Sequence, residues 1–564
     1  MQKNDILTVT CERLGSNGEG VARFGDTVLF IPGFLTGEKA RVKVLAVKDK
    51  IAYGKVEELL TPAEARIRPV CAVFGRCGGC QLQHIRYRTQ LAFKTELVKN
   101  TLKKIGGIDA EVSPCIRSDR EYGYRNKLIL PIGQKNGRTV VGFYAERSHR
   151  IVETEECPIS EWTDKVIYAV RNFAEKCGLD GYDEETGRGQ LRHIAVRNLG
   201  KKFIVVLVVT ENIKGVDYFV SLLDGIFKEY SFFLNFNKQK TNVVFGKEYR
   251  LIKGEPTYTA EEAGIFYEAG AETFVQVNEN VRKKLYEAAL SLTDGEETVI
   301  DCYSGGGLLT AMFAKKCRKA YGIEIVKEAV ECAERLKAAN GLSDKMVNIT
   351  GRVEEELFPI LDKEKNAAVV LDPPRAGADK NVISALIDSD VRKIVMISCN
   401  PATLARDLGL LTGTLVWDEK GNLIKSSAPT GKYEIRSVQP FDMFPQTKHV
   451  ETLVVLSHKK PDGHINIKVE FGEGEGQISL KEVTKRAEER KPKEKVTYKM
   501  IQDYIEKTYG FKVHTAYIAE VKRDLGLPMY DAPNAVEELK RPRAHTTPQM
   551  AEAIKETLKH FEIV

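Results

Sequence analysis

The chain has 564 residues and a mild formal net charge of +6, which permits a nucleic-acid partner without indicating one. No run of about 18 apolar residues occurs, so we expect no membrane-spanning helix, and the amino terminus lacks the apolar stretch of a signal peptide. We therefore expect a cytoplasmic protein with reduced thiols, whose 11 cysteines serve as core residues or metal ligands rather than in disulfides.

Residues 1–60 have the pattern of a small all-β domain, the first of about three to five domains that this length accommodates. Short β-branched runs alternate with glycine-containing turns, as in VTCERLGSNGEGVARF, which is typical of a small OB-like barrel. The segment carries several basic residues, namely Arg23, Lys39, Arg41, Lys43 and Lys48. They suit nucleic-acid binding, but a solvated barrel face explains them equally well.

The stretch CAVFGRCGGC opens the second predicted region, residues 61–110, with Cys71, Cys77 and Cys80. The candidate fourth ligand is Cys157 in EECPIS, 77 residues after Cys80. Zinc sites favour paired C-x2-C spacings, of which the chain has one, and a proline after the last ligand occurs in some ferredoxin patterns. The spacing alone leaves the metal open between zinc and an iron–sulfur cluster.

Residues 111–270 mix short strands and helices and complete a predicted central α+β domain. YGYRNK (Tyr122 to Lys127) and GFYAERSHR (142–150) interleave aromatic and basic residues. Such side chains stack on and pair with unstacked RNA bases. An ordinary pair of basic strands is the alternative.

Residues 271–458 alternate apolar strands with helices, which predicts a doubly wound α/β domain. VIDCYSGGGLLT has the pattern of a strand, a turn open to a ligand and a helix start. Glu324 ends the next strand about 20 residues later, where an acidic side chain binds ribose hydroxyls, and Asp372 in LDPPR ends another. Because these strand ends share one crevice, the set resembles S-adenosylmethionine-dependent methyltransferases; an unrelated α/β domain is the alternative.

Two further residues indicate which atom is methylated. Cys399 in SCNP follows a strand end at the same crevice, and Glu451 begins the late apolar strand HVETLVVLS. A thiolate that adds to C6 of a pyrimidine makes C5 nucleophilic, and a base must then remove the C5 proton. A buried structural cysteine and a surface carboxylate are the alternatives. Arg375 occupies the position at which cytosine-C5 RNA enzymes usually carry a cysteine, and amino-group enzymes need no thiol.

The composition changes again after the α/β domain. Residues 459–495 have the pattern of a charged linker, and residues 496–564 that of a helical carboxy-terminal extension. Ile501 and Ile505 share one helical face, and Ile518, Val521 and Leu525 share another. With GFKVHT between them, the pattern predicts a helix-turn-helix, and KRPRAH (540–545) adds positive charge. An RNA-contacting module and a docking or structural tail are both consistent with this.

Over roughly residues 1–457 the chain resembles the RNA uridine-5-methyltransferase family of the RumA/TrmA type. The matching stretches are GSNGEGVARFGDTVLFIPG, C-x5-C-x2-C, YRNK, FVQVN, DCYSGGG, GIE, DPPR, SCNP and HVETLVVL. The resemblance implies a TRAM barrel, a Rossmann-like methyltransferase domain, a nucleophile at Cys399 and a general base at Glu451. It implies that S-adenosylmethionine is lined by Gln276, Tyr303, Glu324 and Asp372, with Asp372 also a candidate for orienting the target base.

The resemblance also implies a metal centre and a substrate. It selects a [4Fe–4S] cluster held by Cys71, Cys77, Cys80 and Cys157, and RNA contacts by Arg125, Asn126 and Lys127. The cluster and the barrel are features of members that act on ribosomal RNA, so 23S ribosomal RNA is the expected substrate of a monomeric enzyme. A transfer-RNA enzyme and a non-catalytic iron–sulfur RNA-binding protein are the alternatives. The Gly-rich loop departs from the CGxG form that is frequent in the family, which leaves its individual contacts open.

Overall fold

The computed structural model describes residues 1–273, 275–364, 366–418, 420–426, 431–459, 498–525 and 546–561. The chain divides into two compact units, Met1–Gly463 and His464–Val564. The predicted linker lies outside the described residues except for its first residue, and so does KRPRAH. Within the described ranges, no helix has the length and apolar character needed to cross a membrane.

Five strands close into a barrel in the order β1-β2-β3-β5-β4, which confirms the predicted amino-terminal barrel. They are β1 (Ile6–Leu14), β2 (Gly20–Phe24), β3 (Thr27–Ile31), β4 (Lys39–Lys48) and β5 (Ile51–Thr61). Alternate side chains such as Val9, Cys11, Leu29 and Ile31 fill its interior, as the two-residue period of a strand requires.

Glu38 ties the turn after β3 to the chain that leaves the barrel. Its fully buried carboxylate accepts hydrogen bonds from the backbone N–H groups of Leu35 and Ala63, at 2.8 and 3.1 Å. The Arg66 guanidinium donates another through Nη2, at 2.6 Å. Burial disfavours the charged form, but these donors outweigh it and lower the pKa of Glu38. The ionised carboxylate therefore fixes the exit of the chain from the barrel.

The central region is built on a seven-stranded sheet in the order β12-β11-β10-β9-β6-β7-β8. Its strands are β6 (Lys127–Lys135), β7 (Arg138–Tyr144), β8 (Ile151–Glu153), β9 (Leu191–Leu199), β10 (Lys202–Val209), β11 (Tyr230–Phe236) and β12 (Glu248–Lys253). Before it, α1 (Tyr87–Thr101) runs into a π-helical turn (Leu102–Gly106). Helices α2 (Thr163–Cys177) and α3 (Val216–Asp224) bury their apolar faces against the sheet.

A hairpin of β13 (Thr257–Glu262) and β14 (Ile265–Gly270) precedes the second seven-stranded sheet, whose order is β17-β16-β15-β18-β19-β23-β22. The strands of this sheet are β15 (Thr298–Cys302), β16 (Lys319–Glu324), β17 (Met346–Thr350), β18 (Ala367–Leu371), β19 (Lys393–Ser398), β22 (Tyr433–Phe441) and β23 (Glu451–His458). Between β19 and β22, β20 (Leu415–Trp417) and β21 (Leu423–Lys425) form a separate two-stranded sheet. The helices are α4 (Glu279–Leu292), α5 (Leu308–Lys316), α6 (Lys327–Ala339), α7 (Val353–Lys363), α8 (Lys380–Asp388) and α9 (Pro401–Thr412).

The sheet is buried on both faces. Neighbouring residues of β15, Val299 and Ile300, belong to different apolar clusters, one on each face, as expected for a sheet covered by helices on both sides. Strand β15 pairs in parallel with β16 and with β18, so the strand order reverses there. The carboxyl ends of these strands open onto one crevice, where doubly wound sheets bind ligands. This confirms the predicted doubly wound domain.

The second unit contains three described helices, α10 (Tyr498–Tyr509), α11 (Thr515–Asp524) and α12 (Pro548–His560). Ile501, Ile505, Ile518 and Val521 are buried in its core, as predicted. Leu525 is not: it follows the end of α11 and is 36% exposed. Its N–H still donates to the Val521 carbonyl at 3.1 Å, so Leu525 completes the last helical turn at the exposed end of α11.

Replacement of Glu38 tests the barrel exit. We expect Glu38→Gln to lower the free energy of unfolding of the barrel by about 2 kcal/mol, since bonds to a charged group are lost. The pKa of Glu38 is lowered in the folded state. The difference in the free energy of unfolding between wild type and variant should therefore be largest above about pH 4.3 and decrease as the pH falls through the folded pKa. Native-state hydrogen exchange of the barrel amides measures it. Glu58→Gln, at an exposed pair with Arg41, is the control and should change little; equal effects of both variants contradict the interpretation.

Candidate active site

The turn after β15 forms one wall of the crevice. Tyr303 follows the strand with a φ of 67°, and Gly305 and Gly307 also have positive φ, which glycine adopts without strain. A Cβ atom at Gly305 or Gly306 would meet no other atom within 4 Å. The turn therefore presents bare backbone to the crevice, where a ligand can approach closely.

Glu324, at the end of β16, faces this turn. Its Oε2 accepts a hydrogen bond from the Gly305 N–H at 3.0 Å, and its Oε1 accepts one from the Val326 N–H at 2.8 Å. Each carboxylate oxygen has a further lone pair. The carboxylate is thus fixed in orientation and can still accept hydrogen bonds from the two hydroxyls of a ribose.

A cavity of about 450 Å³ adjoins the turn and is lined in part by Tyr303, Ile325 and Arg352. Its size lies in the range of small-molecule sites. Ile325 is 58% exposed and offers an apolar surface to a flat ring, next to the acidic residue that suits a ribose. These residues fit an adenosyl cofactor. Of the four residues predicted to line the cofactor, Tyr303 lines this cavity, whereas Gln276, Glu324 and Asp372 do not. Cys399 and Glu451 also lie outside its lining.

Gln276 lies in the segment that leads into α4, which Asn278 caps. Asn126 donates its side-chain amide to the Gln276 carbonyl at 3.1 Å and its backbone N–H to the Val277 carbonyl at 2.9 Å. The stretches YRNK and FVQVN, which the sequence suggested for different ligands, are therefore bonded to each other. The side chain of Asn126 is engaged in holding the segment that contains Gln276.

Two acidic side chains lie at neighbouring strand ends, Asp301 on β15 and Asp372 just after β18. Burial raises the pKa of Asp372 to about 7 and is also the main cause that raises the pKa of Asp301 to about 7. Asp301 accepts a hydrogen bond from the Thr310 hydroxyl at 2.5 Å, which links β15 to α5. Asp372 is at the crevice itself, where a carboxyl group with such a pKa can hold a proton near neutrality.

Cys399 and Glu451 are brought together by strand pairing. Strands β19 and β23 are antiparallel, with Ser398 opposite Thr452. The next residue in each direction is Cys399 on one strand and Glu451 on the other, so the thiol and the carboxyl group lie side by side at one end of the pair. Cys399 is partly exposed, whereas Glu451 is 3% exposed. A partly exposed thiol thus has a buried carboxyl group beside it.

The surroundings make both groups weak acids. Burial, followed by the neighbouring Glu451, raises the pKa of the Cys399 thiol. Burial and the nearby Asp372 raise the pKa of Glu451 well above its ordinary value. Once deprotonated, each group is a stronger base than it would be in water. This arrangement suits a thiol that adds to a substrate and a carboxylate that removes a proton from it.

Arg375 lies beside Cys399, a position that the sequence did not reveal. In the sequence analysis, Arg375 was only an argument against cytosine as the target base. Its guanidinium group hydrogen-bonds the Cys399 thiol and lowers the pKa of that thiol, against the effect of burial. The Asn400 side chain donates to the Arg375 carbonyl at 3.0 Å, so the start of α9 holds the arginine in place. The position directly after the two prolines of LDPPR was the available signal.

The four predicted cysteine ligands influence one another's pKa values. Burial raises the pKa of Cys80 to about 11, with Cys77 and Cys71 adding to it, and burial followed by Cys80 raises the pKa of Cys157. The Gly79 N–H donates to the Cys77 sulfur at 3.3 Å, as backbone groups do towards sulfur ligands. A thiol-only donor set fits an iron–sulfur cluster in its chemistry. Within the described residues, no group of three or more His, Cys, Asp or Glu side chains is placed to hold a metal ion, so the cluster prediction rests on the chemistry of the four thiols and not on their geometry.

The predicted RNA-contacting stretch YGYRNK is only partly available for contacts. Tyr124 is 7% exposed, and its hydroxyl donates to the Pro445 carbonyl at 3.0 Å, so its predicted use as a stacking surface was wrong. Arg125 and Lys127 are partly exposed. Burial, followed by the neighbouring Arg197, lowers the pKa of Lys127 to about 8. Arg125 and Lys127 therefore keep side chains that can reach a ligand.

Comparisons with known proteins show which family the chain is similar to. Residues 226–459 match the family described as tRNA (Uracil-5-)-methyltransferase, and residues 2–56 match the TRAM domain. An uncharacterized RNA methyltransferase of Clostridium tetani is 36% identical over 466 residues, which cover 81% of this chain and 97% of the relative. Another, of Halalkalibacterium halodurans, is 37% identical over 472 residues, with 81% and 98% covered.

The same fold occurs in a solved structure. The tRNA (uracil-54, C5)-methyltransferase of Pyrococcus abyssi, in complex with S-adenosyl-L-homocysteine, aligns with a TM-score of 0.62 and 24% identity. The alignment covers 80% of this chain and 99% of that protein. This agreement supports the arrangement of barrel, central sheet and doubly wound sheet.

Removal of the Arg375 charge tests the electrostatics around Cys399. We expect Arg375→Met to raise the pKa of the Cys399 thiol by about one pH unit, because a stabilising positive charge is lost. The pH dependence of iodoacetamide alkylation, followed on the Cys399 peptide by mass spectrometry, gives the midpoint. Arg352→Met, on the wall of the cavity, is the matched control and should leave the midpoint unchanged. A midpoint that stays constant or falls in Arg375→Met contradicts the assignment.

Proposed function

The chain belongs to the RNA uracil-5-methyltransferase family and is an S-adenosylmethionine-dependent enzyme that methylates C5 of uracil in RNA; we propose that its substrate is 23S ribosomal RNA and that Cys399 and Glu451 carry the reaction. The observation that supports these two residues is the pairing of Ser398 with Thr452, which sets the thiol beside the buried carboxyl group. The family indicates which reaction occurs, and this juxtaposition supports the assignment of its two reactive groups.

The proposed reaction uses the two residues in turn. The Cys399 thiolate adds to C6 of the uracil, which leaves C5 electron-rich. S-adenosylmethionine, when bound, supplies the methyl group as an electrophile on a sulfonium. The Glu451 carboxylate then takes the proton from C5, the C5–C6 double bond reforms, and the bond between C6 and the sulfur breaks. Arg375 stabilises the thiolate at the start and again when it leaves.

The cofactor and RNA contacts follow from the positions of the remaining residues. We assign the ribose of the cofactor to Glu324 and its adenine ring to the side of the cavity near Tyr303 and Ile325. We assign further cofactor contacts to Gln276 and Asp372. The target uracil must leave its stack to reach Cys399. Arg125, Asn126 and Lys127 are proposed as RNA contacts. The Asn126 side-chain amide already donates to the Gln276 carbonyl, so Asn126 acts by positioning the flanking Arg125 and Lys127.

Ribosomal RNA is favoured over transfer RNA by the combination of the TRAM barrel and the four-cysteine set. We propose that Cys71, Cys77, Cys80 and Cys157 hold a [4Fe–4S] cluster with a structural role. Methyl transfer needs no electron. Residues 71–82, which we call the cysteine loop, are bonded to the central region, since the Gly78 N–H donates to the Tyr144 carbonyl at 3.0 Å. Replacement of Cys71 by Ser should accordingly disturb folding or RNA binding more than the chemical step.

Mapping of modified nucleosides tests the substrate and the nucleophile. In a strain that lacks this protein, mass mapping should show loss of 5-methyluridine from 23S ribosomal RNA. Wild-type protein and Cys332→Ala, at a cysteine on α6 outside the site, should restore it, whereas Cys399→Ala should not. Loss confined to transfer RNA contradicts the ribosomal assignment but leaves the family reaction intact. Unchanged methylation in both RNAs contradicts the proposed function.

Metal analysis tests the cluster. Anaerobically purified protein should contain about four irons with visible absorbance, and Cys157→Ser should lose both, whereas Cys332→Ser should keep them. A colourless wild-type protein with stoichiometric zinc contradicts the assignment. RNA affinity of Cys71→Ser that equals wild type, together with abolished single-turnover methyl transfer, contradicts the structural role.

A further inference from the structure

The connection between β22 and β23, residues Asp442–Val450, leads directly into Glu451; we refer to it as the strap. Hairpin connections usually need two to five residues, so this one is long. It is not a surface loop, since Asp442, Met443, Gln446 and Thr447 are buried. Its length is used for contacts with parts of the first unit that lie outside its own sheet.

Helix α1 holds the first half of the strap. The Lys94 side chain is fully buried and its Nζ forms an ion pair with Asp442 and donates to the Phe444 carbonyl at 3.0 Å. A buried ion pair is costly to break because removal of one partner leaves the other charge buried. The Asn278 side chain adds a bond to the Met443 carbonyl at 3.2 Å. This half of the strap is therefore anchored firmly.

Gln446 is the point at which three elements meet. Its φ is 69°, a left-handed conformation that costs about 1 kcal/mol or more outside glycine. Gln90 of α1 accepts from the Gln446 N–H at 3.1 Å and donates to the Gln446 Oε1 at 2.9 Å. From the cysteine loop, the N–H groups of Gln81 and Leu82 both donate to the Gln446 carbonyl, at 3.1 and 3.0 Å. The N–H, the carbonyl and the Oε1 of Gln446 are thus paired, which holds the strained backbone in place.

The second half of the strap contacts the cysteine loop and the barrel. The Lys448 N–H donates to the Gln81 Oε1 at 3.3 Å, and the Lys448 Nζ donates to Asn17, between β1 and β2, at 2.6 Å. Gln81, the residue after Cys80, is therefore bonded to the strap through both its backbone N–H and its side-chain oxygen. The strap connects the barrel, the cysteine loop and α1 to the strand that begins with Glu451.

We propose that the strap positions the Glu451 carboxylate against the reacting base, and that Gln446 is the positioning residue through which α1 and the cysteine loop act on it. This rests on the proposed role of Glu451 as general base. A catalytic group must be held within about 0.5 Å of its productive position, and the strap is the segment that enters the strand at that residue. The cysteine loop thereby acts on catalysis as well as on the RNA-binding surface.

The proposal predicts which step fails when the strap is loosened. Addition of Cys399 to C6 and methylation of C5 do not need Glu451 as a base. Removal of the C5 proton does: the proton passes to the carboxylate, the C5–C6 bond regains its double-bond character, and the C6–S bond breaks. A displaced Glu451 therefore leaves the methylated RNA covalently attached to Cys399.

Gln446→Ala removes the side-chain bond to Gln90 and keeps the backbone bonds. We expect turnover on RNA from the strain lacking the protein to fall about tenfold to hundredfold, as for a misplacement of about 1 Å, with the KM for S-adenosylmethionine unchanged. A covalent RNA–protein complex should accumulate on denaturing gels, as it should for Glu451→Gln. Hydrogen exchange of amides 442–453 should also be faster in the free protein. Gln439→Ala is the matched control, since Gln439 on β22 donates to the Pro114 carbonyl at 2.8 Å and not to the strap; it should behave as wild type.

Gln81→Ala approaches the strap from the cysteine loop and should give the same covalent complex at a smaller loss of turnover. Unchanged turnover in both folded variants overturns the proposal. So does a loss of turnover without accumulation of the complex, because that result places the defect before proton removal. If Gln446→Ala does not fold, Gln81→Ala decides. A wild-type protein that forms neither 5-methyluridine nor a complex refutes the proposed function itself, which separates the two failures.

Discussion

The antiparallel pairing of β23 with β19 is the constraint on which the active site depends. It places Cys399 and Glu451, 52 residues apart in the chain, at the same end of one strand pair. Both strands are buried on both faces: Ile397 and Leu453 pack into the core on one face, and Met396 and Val454 pack into the core on the other. A shift of one residue would exchange the faces of every side chain in the strand, so the packing of the core fixes the register. The distance between thiol and carboxyl group is therefore set by the fold before any RNA binds.

Burial gives this pair its chemical character. A low-dielectric site disfavours the charged forms of Cys399 and Glu451 and so makes each a stronger base. Arg375 offsets this at the thiol, where a negative charge must form first. The carboxyl group lies deeper, next to Asp372. Arg375 also lowers the pKa of Glu451, so one guanidinium group opposes the effect of burial at both side chains.

The sequence predicted what depends on local spacing. Strand ends carry Tyr303, Glu324 and Cys399, and each lies where the pattern of strand, turn and helix indicated. The contacts across the chain were not accessible in this way, because nothing in the local pattern pairs Lys94 with Asp442 or Gln90 with Gln446. The same limitation applies to the burial of Tyr124 and the exposure of Leu525: the burial of an aromatic or apolar side chain depends on the partner it meets and on where its element ends. The cluster metal and the RNA substrate stay predictions.

The buried pair of Lys94 and Asp442 has a consequence for biosynthesis. The two residues are 348 positions apart, and a ribosome adds about 5–20 residues per second. Lys94 consequently leaves the ribosome tens of seconds before its partner and stays hydrated until the last strands of the first unit are made. Helix α1 reaches its final position only when the hairpin of β22 and β23 has been made, so the emerging chain brings Glu451 beside Cys399 only after the barrel and the central sheet have been synthesised.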